Sequence, residues 1–168
     1  MALAMYDPSA VIILLAGVIP VEDVAEGTFV EIVKDIQTYT SSKSTDGVIT
    51  RIKNADNTYT VTLSLTSSSR TNSVLQYMLI ADQISGLGMF PILIKDNSGS
   101  SLFYSTTCWI EDVPTMQFSD TVEARNWTIK CAEGGVFFGD NYGASSIGED
   151  VFDTLVSAIP VLDGLIRR

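Results

Sequence analysis

The chain has no histidine, and that omission removes several common catalytic devices at once. Ser-His-Asp and Cys-His nucleophilic systems need an imidazole base, and zinc centres are usually built from imidazole or several thiolates. Thiols are scarce too. Cys108 and Cys131 have no CxxC spacing and fall in different predicted strands, so they are expected as reduced, packed thiols behaving as small hydrophobes. Positive charge is the third shortage: ten Lys and Arg stand against twenty Asp and Glu, a formal net charge of −10. Binding nucleic acid by neutralising phosphates needs clustered cations, which this chain does not supply. Long apolar runs are also missing. The ten residues from Ala10 to Ile19 are half the ~20 that a spanning helix needs. Asp7, Glu22, Asp23 and Glu26 flank that run and no basic residue precedes Lys34, so it does not read as a signal peptide. It reads instead as buried strands, Val11 to Leu15 and Val18 to Val21, joined near Gly17, in a soluble product made in the cytoplasm. With no glycine-rich phosphate loop and no internal repeat, the expectation is a protein without catalytic site, metal or cofactor.

What the chain has is apolar sequence in short alternating runs. Its 168 residues fit one domain, and 46% apolar against 18% charged is more hydrophobic surface than one such core consumes. Some of that surplus is expected to meet other copies. The stretch Phe29 to Thr66 organises the reading. From Phe29 to Tyr39, Val30, Ile32 and Ile36 fall on one face of a strand and Glu31, Asp35 and Gln37 on the other. Thr40 to Gly47 is a polar tip ending in Asp46-Gly47, where glycine supplies the positive φ of a turn. The chain returns as a strand, Val48 to Lys53, turns at Asn54 to Asn57, and runs out along Tyr59 to Thr66. There Tyr59, Val61, Leu63 and Leu65 oppose Thr60, Thr62, Ser64 and Thr66. The expected product is a curved antiparallel sheet, apolar on one side and hydroxylated on the other.

Asn72 is a good helix N-cap, and Val74 to Ile84 carries apolar residues at helical spacing until Gly86 and Gly88. Phe90 to Lys95 reads as a short strand, Asp96 to Gly99 as a hairpin turn, and Leu102 to Val113 as its partner. Met116 to Ser119, Asn126 to Cys131 and Val136 to Phe138 are further strand candidates. These elements predict a mainly β, α+β chain: an antiparallel β-sandwich or barrel with one packed helix, residues 1–139, and a C-terminal extension, 140–168. In the extension, Ser146 and Glu149 have capping-box spacing, and a helix from Glu149 to Ile159 would need its own barrel or a neighbouring subunit to lie on. An enzyme reading finds no paired carboxylates, since adjacent Glu111 and Asp112 point to opposite faces of a strand. A carbohydrate-binding β-sandwich wants exposed aromatic platforms, whereas Trp109 and Trp127, beside Ile110 and Ile129, are expected to be buried.

The succession YDPSAV, AEGTFVEIVKD, TDGVITRIKN, TVTLSLTSSSRTNSVLQYMLIAD, FPILIKDNSGSSLFYSTTCWIED and RNWTIKCA, covering residues 6 to 133 in consistent order, resembles a family of structural proteins of contractile-tailed bacteriophages, the tail tube subunits. The resemblance implies a tail-tube fold assembled as hexameric rings that stack into a hollow tube within a sheath and serve DNA ejection. Its implied partners are further copies of the chain, the tail sheath protein and baseplate or tail-completion proteins. A tape-measure protein and DNA would pass through the bore without specific binding, and no membrane is involved. Strand parity makes Glu31, Asp35, Thr60, Thr62 and Ser64 the candidate lumen-facing residues. Ser41, Ser42, Lys43, Ser44, Thr45, Asp46 and Gly47 are the candidate ring-stacking tip. Arg51 and Lys53 fit an acidic lumen poorly and are expected to pair with carboxylates on adjacent strands. Another ring-forming virion protein of related fold, from tail completion or baseplate, is the alternative.

Overall fold

The computed structural model describes residues 4–141. Its strands are β1 (Val11–Leu15), β2 (Ile19–Pro20), β3 (Val30–Lys34), β4 (Tyr39–Lys43), β5 (Ile49–Lys53), β6 (Tyr59–Thr66), β7 (Phe90–Asp96), β8 (Leu102–Asp112), β9 (Ala124–Cys131) and β10 (Gly135–Phe137), with one helix among the described residues, α1 (Thr71–Ser85). Every pairing is antiparallel. The main sheet runs β2-β1-β7-β8-β9-β6-β3, and β4 and β5 form a separate two-stranded sheet. β9 and β10 lie one after the other along the same edge of β8, with Cys131 opposite Cys108 and Gly135 opposite Tyr104. Between them Gly134 passes so close to the edge-to-face pair Tyr59 and Phe103 that an added Cβ would come within 2.9 Å of both rings.

The alternation in β6 explains where the core sits. Val61, Leu63 and Leu65 are completely buried, each such side chain contributing roughly 1.5–3 kcal/mol. The neighbouring strands present matching faces: Ile129 is opposite Val61, Trp127 opposite Leu63, and on the other side Ile32 is opposite Val61 and Val30 opposite Leu63. From the β1, β7 and β8 side come Ile13, Leu15, Ile92, Ile94, Phe103 and Ile110. After β2 the chain crosses to the far edge of the sheet, where Val24 bridges Leu65 and the Ala25 amide donates to the Ser64 carbonyl at 2.9 Å. That crossing ties the two ends of the sheet together and curves it around the apolar side chains.

Two expectations about Phe29 to Thr66 are corrected. The strand expected to reach Tyr39 stops at Lys34, and Ile36 beyond it is exposed rather than on the apolar face. Val48 to Lys53 does not lie between the other two strands; β3 pairs directly with β6, and the intervening hairpin is excluded from the main sheet. The reason is in its side chains: alternation along β5 puts Ile49 with Arg51 and Lys53 on a face that cannot be buried without burying charge. The other face offers only Thr50 and Ile52 opposite Ser42 and Thr40, too little apolar surface to draw the hairpin onto the core. Met116 to Ser119 forms no strand, and Val18 to Val21 contracts to Ile19–Pro20. The Glu149 to Ile159 helix and its capping box lie outside the described residues.

The helix begins at Thr71 and ends on Gly86 in the left-handed conformation, its amide bonded to the Asp82 carbonyl. Asn72 is not the N-cap. It lies in the first turn, buried, where its side-chain carbonyl accepts from Trp127 Nε1 at 3.0 Å and its amide nitrogen donates to the carbonyls of Thr66 and Ser69. Leu75 is fully buried, with Met78 and Leu79 packed against the core, while Tyr77, Ile80 and Ile84 remain exposed. One asparagine thus fastens the helix to β9 and to the end of β6. Asn72→Ala would leave the buried indole N–H without its acceptor and strip one of two donors from each of the Thr66 and Ser69 carbonyls, and is expected to cost about 2 kcal/mol, read as a lowered urea midpoint. Ser73→Ala, one residue on and exposed, should stay within about 0.5 kcal/mol of the parent.

Candidate functional site

The outward face of β3, β6, β9 and β8 is as orderly as the inward one. Glu31 lies opposite Thr62, which lies opposite Thr128; Val33, Thr60, Lys130 and Trp109 form the next row. Ser64 Oγ donates to Asn126 Oδ1 at 2.8 Å within a third cross-strand pair. Asp35, just past the end of β3, turns back onto this face. Its carboxylate meets Lys130 Nζ at 2.8 Å and accepts from Thr60 Oγ1 at 2.6 Å. Those bonds, first from Lys130 and then from Thr60, hold the Asp35 carboxyl below the usual range, and the Lys130 ammonium is raised by the same pairing. All five expected residues, Glu31, Asp35, Thr60, Thr62 and Ser64, therefore meet on one surface.

Lys130 is the member that the sequence reading missed. Its position was available: Trp127, Ile129 and Cys131 are buried, so the residue between the last two points outward with the hydroxyls. Trp109 is a correction of the same kind. It is only partly buried and lies on the polar face, its Nε1 donating to Glu111 Oε2 at 2.7 Å, because the buried Ile110 beside it forces it to the opposite side. Chemically the face offers hydroxyls and a charge pair whose members neutralise each other. Among the described residues no three His, Cys, Asp or Glu are grouped to hold a metal, and no helix there is long and apolar enough to cross a membrane.

The expected tip divides between strand and turn. Ser41, Ser42 and Lys43 belong to β4, opposite Arg51, Thr50 and Ile49. Ser44 to Gly47 make the turn, in which Ser44 Oγ accepts the Asp46 amide at 3.1 Å, the Gly47 amide donates to the Ser44 carbonyl, and Gly47 has φ +84°. Every residue of both strands is exposed. The root is held by Asn54, whose side chain donates to the Gln37 carbonyl at 2.7 Å, and by Lys34 Nζ, which donates to Thr38 Oγ1 at 2.7 Å. Cross-strand register puts Lys43, Arg51 and Lys53 on one face with Tyr39. The guanidinium carbon of Arg51 sits 4.4 Å from the Tyr39 ring centroid, a cation–π contact. The expected pairing of Arg51 and Lys53 with carboxylates is not seen; the ion pair among the described residues is Lys130 with Asp35.

Two further features complete the inventory. A groove of about 670 Å³ runs between α1 and the segment after β8, bordered by Tyr77, Val113, Met116 and Trp127. The two cysteines, expected only as separate packed thiols, are completely buried with their sulfurs 3.0 Å apart.

No family model matches the chain. Among solved structures, a chain of the anti-feeding prophage cap, the AFP tube terminating cap, superposes with a TM-score of 0.58 at 11% identity, covering 82% of this chain and 93% of that one. A chain of the PVC sheath/tube terminator, from an extracellular contractile injection system in its extended state, gives 0.51 at 12% identity over 80% and 97%. At these identities the likeness establishes a shared fold. Sequence similarity goes further: structural protein ORF10 of Pseudomonas phage KPP10 is 32% identical over 133 residues, 78% of this chain and 77% of that protein. The antiparallel fold and this extended identity place the chain in the family of phage structural proteins to which ORF10 belongs.

Proposed function

We propose that this protein is a ring-forming subunit of the tail tube of a contractile phage, its copies assembling as hexameric rings that stack around a bore. The observation that carries the reading is the β4–β5 hairpin, which stands outside the main sheet with no buried residue in either strand. A hairpin alone is marginally stable in water, so a second surface gives it a reason to persist. Its charge says what that surface is. The hairpin carries Lys43, Arg51 and Lys53 against Asp46 alone, in a chain of net charge −10, so the remainder of a neighbouring copy is a strongly acidic partner. Edge strand β3, paired on one side only among the described residues, offers a second place for a copy to continue the sheet around the ring. The phage structural family and a fold shared with chains from tube-ending assemblies support this reading. The sheath, the baseplate and tail-completion proteins would be its partners in the virion, with tape-measure protein and DNA passing inside.

A second reading rests on the same two solved structures, both of terminators: a ring that closes the end of a tube and stops. Electron microscopy of the purified chain separates the two. Tubes support the tube subunit, rings that never stack support the terminator, and a monomer at high concentration contradicts both. Replacing Lys43, Arg51 and Lys53 together by glutamate should leave the melting temperature nearly unchanged, because none of them is buried. It should abolish stacking while rings persist; normal tubes from that variant would remove the hairpin from the contact.

We assign the polar face, with Glu31, Asp35, Thr60, Thr62 and Ser64, to the bore. DNA carries one negative charge per ~1.7 Å of axis, so any free lysine on the wall would hold it by counterion release. Asp35 prevents this by closing on Lys130. Phage bearing Asp35→Asn should therefore release DNA more slowly, most visibly at low salt, and Lys130→Gln added to it should restore the rate. Ejection unchanged at every salt concentration would take this face out of the bore.

A further inference from the structure

Cys108 and Cys131 face each other directly across β8 and β9. The neighbouring residues Thr107 and Ala132 form a hydrogen-bonded rung, the Ala132 amide donating to the Thr107 carbonyl at 2.9 Å. In an antiparallel ladder the rungs alternate, so the cysteines occupy the non-hydrogen-bonded kind, with Cα atoms about 4.5 Å apart and side chains at their closest. That separation is within the roughly 4.4–6.8 Å that a disulfide spans. The sulfurs, 3.0 Å apart, need to close by only about 1 Å to reach the bonded distance near 2.05 Å, which side-chain rotation supplies without moving the strands.

We propose that this pair is a modification site, a latent cross-strand disulfide that forms when the protein leaves a reducing cytoplasm and meets a peroxide. The Cys108 thiolate attacks one peroxide oxygen; the O–O bond breaks, giving a sulfenic acid and hydroxide, which takes up a proton to become water. Cys131 sulfur then attacks the sulfenic sulfur, the S–S bond forms, the S–O bond breaks, and the hydroxyl leaves as water with the Cys131 proton. Two thiols lose two electrons, and one hydrogen peroxide becomes two waters. The contact between the thiols holds Cys108 below the usual thiol range and, with burial, pushes Cys131 up, a direction that agrees with Cys108 as the attacking thiol. Burial makes the step slow and dependent on local opening.

The position matters because β8–β9 is the seam between two halves of the sheet, β2-β1-β7-β8 and β9-β6-β3, and its ladder is interrupted between Ile110 and Asp112. A bond there would pin the halves without altering either face, and so without disturbing any contact between copies. The test takes the full chain, purified under reductant, treats it with hydrogen peroxide, then unfolds it in an alkylating reagent for intact mass and peptide mapping. The expected product has lost two hydrogens, resists alkylation, links the Cys108 and Cys131 peptides within one chain, and shows a urea midpoint that rises and returns on adding dithiothreitol. Two alkylated thiols after treatment, stable oxygen adducts, or a disulfide joining two chains would overturn the assignment.

Discussion

Everything in this fold depends on a period of two held in register across β3, β6 and β9. Along these strands alternate residues face opposite ways, and register keeps the two populations from mixing between neighbours. β8 joins them through Cys108 and Ile110, its inward positions having shifted by one past Phe103 and Ser105 where its register with β7 slips. Val61, Leu63, Leu65, Trp127, Ile129 and Ile110 go inward; Thr60, Thr62, Ser64, Asn126, Thr128 and Lys130 go outward. A slip of one residue in β6 would put three hydroxyls and Thr66 into the core and three large aliphatic chains into water. At roughly 25 cal/mol per Å² of apolar surface this is a loss that no turn could offset. The register is therefore fixed by the core, and the composition of the outer face follows from it.

The outer face and the hairpin have opposite electrostatic characters. On the face, the lysine is neutralised by Asp35 and held by Thr60, and Glu31 adds negative charge beside them. On the hairpin, Lys43 and Lys53 have no carboxylate in salt-bridge range among the described residues, and Arg51 is stacked on Tyr39. An acidic chain that groups three of its ten cations on one exposed hairpin has separated a locally basic part from a face whose cation is neutralised. The helix plays neither role. It packs on the core through Leu75 and the Asn72–Trp127 bond, and leaves Tyr77, Ile80 and Ile84 on the outside.

Much of this was legible in the sequence, and each failure has a physical cause. β6 could be read because one face is purely aliphatic and the other purely hydroxylated, and parity then delivered the five residues of the outer face together. Thr40 to Lys43 was read as part of a tip because serine and threonine serve turns as well as strands, and a strand with neither face buried has no alternation to betray it. Val48 to Lys53 was recognised as a strand but taken into one curved sheet with its neighbours, since membership is decided by what can be buried and not by order along the chain. Asn72 has N-cap chemistry, yet the buried Trp127 indole needs an acceptor, and tertiary satisfaction outweighed local capping. Lys130 and Trp109 were errors of bookkeeping: the rule that placed Ile129 and Ile110 inward already placed their neighbours outward. The meeting of Cys108 and Cys131 is different, because no spacing in the sequence says which strands are adjacent.

The central claim is that the β4–β5 hairpin is finished by another copy of the chain. Amide hydrogen exchange on the isolated subunit and on assembled particles tests it most directly, since an exposed two-stranded arm opens with little free energy while β6 opens only with the whole fold. The account predicts that amides from Tyr39 to Lys53 exchange rapidly in the subunit and become protected on assembly, with those of Tyr59 to Thr66 slow in both. Equal, rapid exchange of the hairpin in both states would contradict it.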